Sequence, residues 1–207
     1  MNPFFSIILA TFNRENIISR AINSVLNQSF TDWELIIVDD CSNDNTIELI
    51  EPFLTDKRIS YWVQKHNKGV SATRNNGISN SRGKYITFID SDDQYKKNHL
   101  MERYKILKDR NIDLLHGGVE IVGNSKVPDK HDTNKLIELS ECVIGGTFFI
   151  NSAIKNEIKL FDETVKYSED SHLFEKFLEN KLIVEKVGIP TYIYYRDTVD
   201  SICNTVK

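Results

Sequence analysis

The 207-residue chain has little cysteine, no charge block of one sign and no long apolar run, and each shortage removes a class of protein. Its three cysteines, Cys41, Cys142 and Cys203, are odd in number and far apart, and they form neither a CxxC pair nor a Cys/His ligand spacing. A disulfide framework and a structural zinc site are therefore not expected. Basic residues number 26 against 30 acidic ones, a net charge of −4 without a long single-sign stretch, which argues against a nucleic-acid partner or a polybasic membrane anchor. No window approaches the roughly 18 uninterrupted apolar residues of a membrane span. The opening "MNPFFSIILATFNRE" lacks the basic start and small-residue cleavage site of a signal peptide, so the expected location is the cytoplasm. There is no internal repeat or low-complexity segment.

What is present is a chain that is 40% hydrophobic and 27% charged, long enough for one sizeable core and short for two, so one domain over residues 1–207 is expected. Short apolar runs alternate with amphipathic stretches. "FFSIILA" reads as a strand, and "ENIISRAINSVLNQ" places Ile18, Ala21, Ile22, Val25 and Leu26 at helical intervals. Three more βα units follow, in "WELIIVDD" with "NTIELIEPFL", "ISYWVQ" with "VSATRNNGISNS", and "YITFID" with "NHLMERYKILKDR". Repeated βα units predict an α/β fold with a mainly parallel central sheet and helices on both faces, because a parallel connection needs a crossover long enough to hold a helix. After Asp113 the alternation weakens. "IDLLHGGVEIVG" reads as a strand with a glycine bend, residues 123–140 as a polar loop, and "GGTFFIN" as a buried piece. "SEDSHLFEKFLEN" predicts a helix with Leu173, Phe174, Phe177 and Leu178 inward, and "LIVEKVGIPTYIYYR" two β-rich runs separated by Gly188 and Pro190.

In open α/β sheets ligands sit outside the carboxyl ends of the strands. Three polar clusters follow strands here: "ATFNR", "DDCSND" and "DSDD". They should converge on one edge of the sheet. In "KYITFIDSDDQ" the run Tyr85 to Ile89 leads straight into Asp90, Ser91, Asp92 and Asp93. Carboxylates so close repel unless they are solvated or share a cation. Oxygen ligands at i and i+2 suit Mg²⁺ or Mn²⁺, which take one or two carboxylates and complete their shell with water and substrate phosphates. The competing explanation is a helix cap from Asp92 or Asp93 with Asp90 merely solvated.

The ordered motifs "SIILATFNRENIISRAINSVLNQSFTDWELIIVDDCSNDNT", "NKGVSATRNNGISNSRGKYITFIDSDD", "GGTFFI" and "YSEDSHLFEKF" resemble the family 2 glycosyltransferases, inverting enzymes of the Rossmann-like GT-A fold, over nearly the whole chain. The resemblance implies a nucleotide-sugar donor, typically a UDP-sugar, with Ala10, Thr11 and Phe12 lining the base and Asp40 hydrogen-bonding it. It implies that Arg74 contacts the nucleotide or its diphosphate. Asp90, Ser91 and Asp92 would be the DxD motif, with Asp92, and Asp90 more remotely, serving Mn²⁺ or Mg²⁺. By the same resemblance Asp170 would be the base that deprotonates the acceptor hydroxyl, and Glu169 a supporting or acceptor-binding carboxylate. The chemistry agrees: the cation offsets charge on the leaving diphosphate, and inversion needs a base across the sugar ring. Ser168, Glu169 and Asp170 also suit the N-terminus of a helix, and both roles are compatible.

Residues 1–113 would then form the nucleotide-sugar-binding part and 114–207 the acceptor-binding part. Ala10 stands where many members have proline. The Gln-x-x-Arg-Trp motif of polymer synthases is absent, which favours transfer of a single sugar to a saccharide or lipid-linked saccharide in cell-surface polysaccharide or glycolipid assembly. Little chain follows "YIYYR", so a partner or the inner face of the membrane, met peripherally, is expected to complete the acceptor site. His66, His99, His116, His131 and His172 lack metal-ligand spacing and are expected to be structural or exposed, with an acceptor contact as a second role for His172. Arg196 would reach a diphosphate or pair with Asp197 or Asp200. Three other readings compete. A receiver-like signalling domain would need the acid pair after its first strand. A sugar-phosphate nucleotidyltransferase would need a glycine-rich loop where "LATFNREN" has no glycine. A sugar-nucleotide-binding protein without turnover is disfavoured by the intact acidic motifs.

Overall fold

The computed structural model describes residues 2–130, 132, 134–165 and 167–196. Along the chain run β1 (Phe5–Thr11), α1 (Ile18–Leu26), β2 (Trp33–Asp39), α2 (Thr46–Ile50), β3 (Ile59–Val63), α3 (Val70–Asn80), β4 (Tyr85–Phe88), β5 (Gln94–Tyr95) and α4 (His99–Leu107). There follow β6 (Leu114–His116), β7 (Val119–Val122), β8 (Lys126–Pro128), β9 (Leu136–Glu138), β10 (Phe149–Asn151), α5 (Glu169–Glu179), β11 (Val184–Lys186) and β12 (Tyr192–Tyr195). The predicted second helix stops early. It tightens to a 3₁₀ turn over Glu51–Thr55, because Pro52 has no N–H to continue an α ladder.

The main sheet has the order β11-β6-β10-β4-β1-β2-β3, with β10 antiparallel to both its neighbours and the other pairs parallel. Every residue of β2 and all but Ala10 of β1 are buried, as expected of strands covered on both faces. Ile7, Leu9, Leu35 and Ile37 pack against Ile18, Ile22 and Val25 of α1 and Leu100 and Leu107 of α4. On the other face, Ile8, Ile86 and Phe88 meet Ile78 of α3 and Leu173 and Phe177 of α5. The period-2 alternation of strands divides these residues between two cores.

Register brings the site together. Thr11 lies opposite Asp39, and Ile8 opposite Phe88, so β1, β2 and β4 end at one edge and release residues 10–12, 40 and 90–92 side by side. On α3, Gly77 lies so close to the sheet that a Cβ there would fall 2.5 Å from Ile8 Cγ2. That approach seats the helix on the sheet one turn away from Arg74.

Three expectations need correction. "IDLLHGGVEIVG" is two strands in different sheets: β6 joins the main sheet and β7 a small sheet of order β5-β12-β7. Gly117 and Gly118, with φ of +92° and +79°, make the turn between them, a conformation that costs side-chain-bearing residues more. The polar loop over 123–140 contains the antiparallel hairpin β8–β9, whose Val127 and nearby Leu139 join Ile144 in a third small core. Leu178 does not point inward; it is 53% exposed, because it sits about 100° around the helix from buried Phe177.

Candidate active site

The carboxyl ends of β1, β2 and β4 open into a cleft of about 860 Å³. All ten candidate residues line it: Ala10, Thr11, Phe12, Asp40, Arg74, Asp90, Ser91, Asp92, Glu169 and Asp170. The loops after β1 and β2 are tied to each other. The backbone N–H of Asn13 donates to Ser42 Oγ at 2.8 Å, that of Asn43 to Asn13 Oδ1 at 2.9 Å, and that of Arg14 to Thr46 Oγ1 at 2.8 Å. Phe12 is left 40% exposed on the cleft wall.

Asp39 and Asp40 part company. Asp39 accepts from Ser42 N–H and the Tyr61 hydroxyl, both at 2.7 Å, and lies outside the cleft lining. Asp40 lines the cleft, yet its carboxylate already accepts from Gln64 Nε2 and Lys68 N–H, both at 2.8 Å, and from Gly69 N–H at 2.7 Å. It therefore clamps the turn that opens α3, and Oδ2, with one donor, keeps acceptor capacity for a ligand.

Arg74 is buried on α3, with its guanidinium forked between Asp90 Oδ1 at 2.8 Å and Glu169 Oε1 at 2.5 Å. Burial works against its charge, but these two carboxylates outweigh it and raise its pKa, so the group is a fixed cation. One side chain thus spans from the acid cluster after β4 to the start of α5.

The three aspartates of that cluster have different work. Asp93 is wholly buried; Oδ2 accepts from the Tyr192 hydroxyl at 2.6 Å and Oδ1 from Tyr195 N–H at 2.9 Å. It anchors the turn to β12 and does not line the cleft. Asp92 faces the cleft, and no described side chain donates to its carboxylate, while Arg20 holds its backbone carbonyl. Burial, and then the neighbouring Asp90 charge, raise the pKa of Asp92. An under-compensated pair of carboxylates is what a cation with few protein ligands would relieve. Among the described residues no three His, Cys, Asp or Glu side chains form a complete metal cage, so any cation held here would take further ligands from substrate or water. Neither Asp92 nor Asp93 caps α4, whose cap residue Asn98 makes no side-chain capping bond.

Glu169 and Asp170 open α5 after Ser168, which has a left-handed φ of +60°. Asp170 Oδ2 accepts from Gly145 N–H at 3.1 Å and Oδ1 from Ser171 N–H at 2.7 Å. Burial, then the charge of Glu169, push its pKa up to about 7 against the pull of Arg74 and the two N–H groups. A carboxyl poised near neutrality suits a proton acceptor.

The other candidates lie elsewhere. His99 is buried and stacked on Tyr95 at 4.0 Å, with its pKa pushed down by burial; His116 is buried and pushed down to about 4; His66 is exposed; His172 does not line the cleft. Arg196 is buried outside the cleft lining and donates to the Lys126 carbonyl at 3.4 Å. His131, Asp197, Asp200 and Cys203 lie outside the described residues. Cys41 is a free thiol, and the Cys142 thiol donates to the Glu138 carbonyl at 3.6 Å. Sequence reasoning missed Arg14 and the hairpin wall of Val127, Pro128 and Ile137, along with Tyr167, whose hydroxyl donates to the Pro128 carbonyl at 2.9 Å. The only signal for that wall was the short alternation in "KVP" and "LIE", too brief to stand out from a polar loop.

The family model described as "Glycosyl transferase family 2" matches residues 6–181. The chain is 33% identical over 185 residues to the Escherichia coli UDP-Glc:alpha-D-GlcNAc-diphosphoundecaprenol beta-1,3-glucosyltransferase WfgD, a match covering 86% of this chain and 71% of that enzyme. Among solved structures, S. aureus TarS 1-349 in complex with UDP-GlcNAc superposes with a TM-score of 0.80 at 22% identity, covering 100% of this chain and 62% of that one. The Pyrobaculum calidifontis mannosyltransferase PcManGT, in complex with GDP-Man and Mn²⁺, gives a TM-score of 0.75 at 14% identity over 93% and 57% of the two chains. The structural likenesses establish the GT-A fold. This chain spans less than two thirds of either crystallised chain. No described helix is long and apolar enough to cross a membrane.

Proposed function

The chain belongs to glycosyl transferase family 2, and from that premise we propose that it moves a single sugar, with inversion, from a UDP-sugar to a hydroxyl of a saccharide or lipid-linked saccharide in cell-surface polysaccharide or glycolipid assembly. The observation that carries this reading is one cleft with the Asp90–Asp92 pair on one side, Glu169 and Asp170 on the other, and Arg74 braced between them. The activity by which WfgD is named, with a UDP-Glc donor and a diphosphoundecaprenol-linked acceptor, supports the donor and acceptor classes. Residues 1–113 form the donor half and 114–207 the acceptor half, and a peripheral position at the inner face of the membrane fits a lipid-linked acceptor.

Ala10, Thr11 and Phe12 take the base, with the spare acceptor capacity of Asp40 Oδ2 turned to its imide. Asp92, assisted by Asp90, would hold Mn²⁺ or Mg²⁺. That cation, when bound, supplies positive charge to the departing diphosphate, the work a general acid does elsewhere. Asp170 takes the proton from the acceptor hydroxyl onto a carboxylate oxygen as the new bond to the anomeric carbon forms. The bond to the diphosphate oxygen breaks on the opposite face, and the nucleoside diphosphate leaves with the electron pair. Glu169, pinned by Arg74, acts through its charge on the neighbouring Asp170, which it helps keep basic.

Calorimetric titration of UDP in Mn²⁺ and again in EDTA tests the reading. Tight binding only with the cation, and weaker binding of GDP and TDP, is the expected result. Equal affinity in both buffers removes the metal role, and a preference for GDP or TDP removes the uracil assignment.

A further inference from the structure

Tyr192 lies on β12, far in sequence from every motif in the cleft, and is wholly buried. Its hydroxyl donates to Asp93 Oδ2 at 2.6 Å and accepts from the backbone N–H of Asp90 at 3.3 Å, so it grips both ends of the acidic turn. The same phenol packs on Gly146, where a Cβ would fall 2.2 Å from the hydroxyl oxygen and 2.3 Å from Cζ. No side chain fits there. The adjoining Gly145 N–H is the one that donates to Asp170 Oδ2. The ring is itself held by Tyr95, at a centroid distance of 5.7 Å, and by His99 at 6.1 Å. Arg74 links Asp90 to Glu169 through side chains on the cleft floor, and Tyr192 makes a second link, from the acidic turn through the 3₁₀ turn Gly145–Thr147 to Asp170.

We propose that Tyr192 is a positioning residue that fixes the separation between the donor-side acidic turn and the Asp170 carboxylate, so that loosening either turn loosens the other. A buried phenol suits the task. It is rigid over its whole length, and its hydroxyl can donate to a carboxylate while accepting from an amide. A misplacement of about 1 Å between reacting groups can cost 10²-fold in rate, so a strut of this kind is worth a buried tyrosine.

The assignment of roles to the two turns rests on the proposed glycosyl transfer, but the mechanical link does not, and amide hydrogen exchange on the ligand-free protein reads it directly. Tyr192→Phe removes only the hydroxyl. The control is Tyr85→Phe, another buried tyrosine, whose hydroxyl meets the Arg110 carbonyl at 3.3 Å away from the cleft. With both variants well below their melting temperatures, Tyr192→Phe should speed exchange about tenfold at the Asp90 amide and at the Gly145 amide together, the size of one lost hydrogen bond. Tyr85→Phe should change neither. UDP affinity in Mn²⁺ should fall several-fold in Tyr192→Phe and hold in Tyr85→Phe. Gly146→Ala approaches the contact from the other side: the added methyl must push the intact phenol away, so exchange at Asp90 should speed although the Tyr192 hydroxyl is still present. Faster exchange at Asp90 alone in Tyr192→Phe, or unchanged exchange at Asp90 in Gly146→Ala, overturns the link. If the wild type fails to bind UDP, the proposed function falls while the exchange result still decides this inference.

Discussion

Asp170→Asn should make the protein inactive and, at alkaline pH, more stable. The folded environment raises the carboxyl from an ordinary 3.8 to about 7, through burial first and the Glu169 charge second. A group whose folded pKa is raised contributes stability that is fully present below the unfolded value and is lost as pH rises through the folded one. Above about pH 7 the wild type therefore carries a charge that its fold disfavours. Each pH unit is worth about 1.4 kcal/mol, which caps the penalty on the order of 4 kcal/mol, and solvent at this half-buried site reduces it. The amide has one acceptor oxygen in place of two, so it loses the bond from Gly145 or from Ser171, a cost of about 1 kcal/mol. The net gain at pH 8 is on the order of 2 kcal/mol, or about 4–8 °C in melting temperature for a chain of this size. Melts at pH 8 and pH 4, followed by circular dichroism, should show the variant ahead at pH 8 and the advantage gone by pH 4. Turnover at pH 8 should meanwhile drop by about 10²–10⁴-fold with donor affinity unchanged, as expected for loss of a general base. A variant that melts with or below the wild type at pH 8, or that keeps turnover within a few-fold, refutes the argument and moves attention to Glu169.

Two further substitutions separate binding from packing. Asp92→Asn keeps the shape and removes a charge that burial and Asp90 disfavour, so the melt at neutral pH should stay at or slightly above wild type while cation-dependent UDP binding, followed by calorimetry, collapses; retained binding would mean Asp92 holds no cation. Gly77→Ala puts a methyl 2.5 Å from Ile8 Cγ2 and should lower stability by about 1–3 kcal/mol in a urea melt, with loss of Arg74 registration seen as reduced turnover.

The order of βα units, the buried β1 and β2, and the convergence of "ATFNR", "DDCSND" and "DSDD" were legible because they depend on local pattern: β-prone runs, helical spacing, and polar turns that follow parallel strands. Ala10, Thr11, Phe12, Asp40, Asp90, Ser91 and Asp92 fell in one cleft for the same reason, since a parallel sheet places the carboxyl ends of its strands along one edge, whereas Arg74 reaches it from α3 and Glu169 and Asp170 from the start of α5. Local pattern could not say that "LLHGG" and "VEIV" belong to different sheets, because the backbone there pairs with β10, β11 and β12, whose sequences lie far downstream. Nor could it divide the labour of adjacent acids. Asp39 and Asp40, or Asp92 and Asp93, are equivalent as letters, and their roles diverge only because Tyr61, Gln64, Gly69 and Tyr192 arrive from other elements to donate or to stay away. The near-neutral carboxyl of Asp170 is likewise a product of assembly: its shift comes from burial and from a Glu169 charge pinned by Arg74, 95 positions earlier in the chain. Residue types and strand ends are properties of the chain, whereas desolvation and long-range donors exist only once the chain has closed around them.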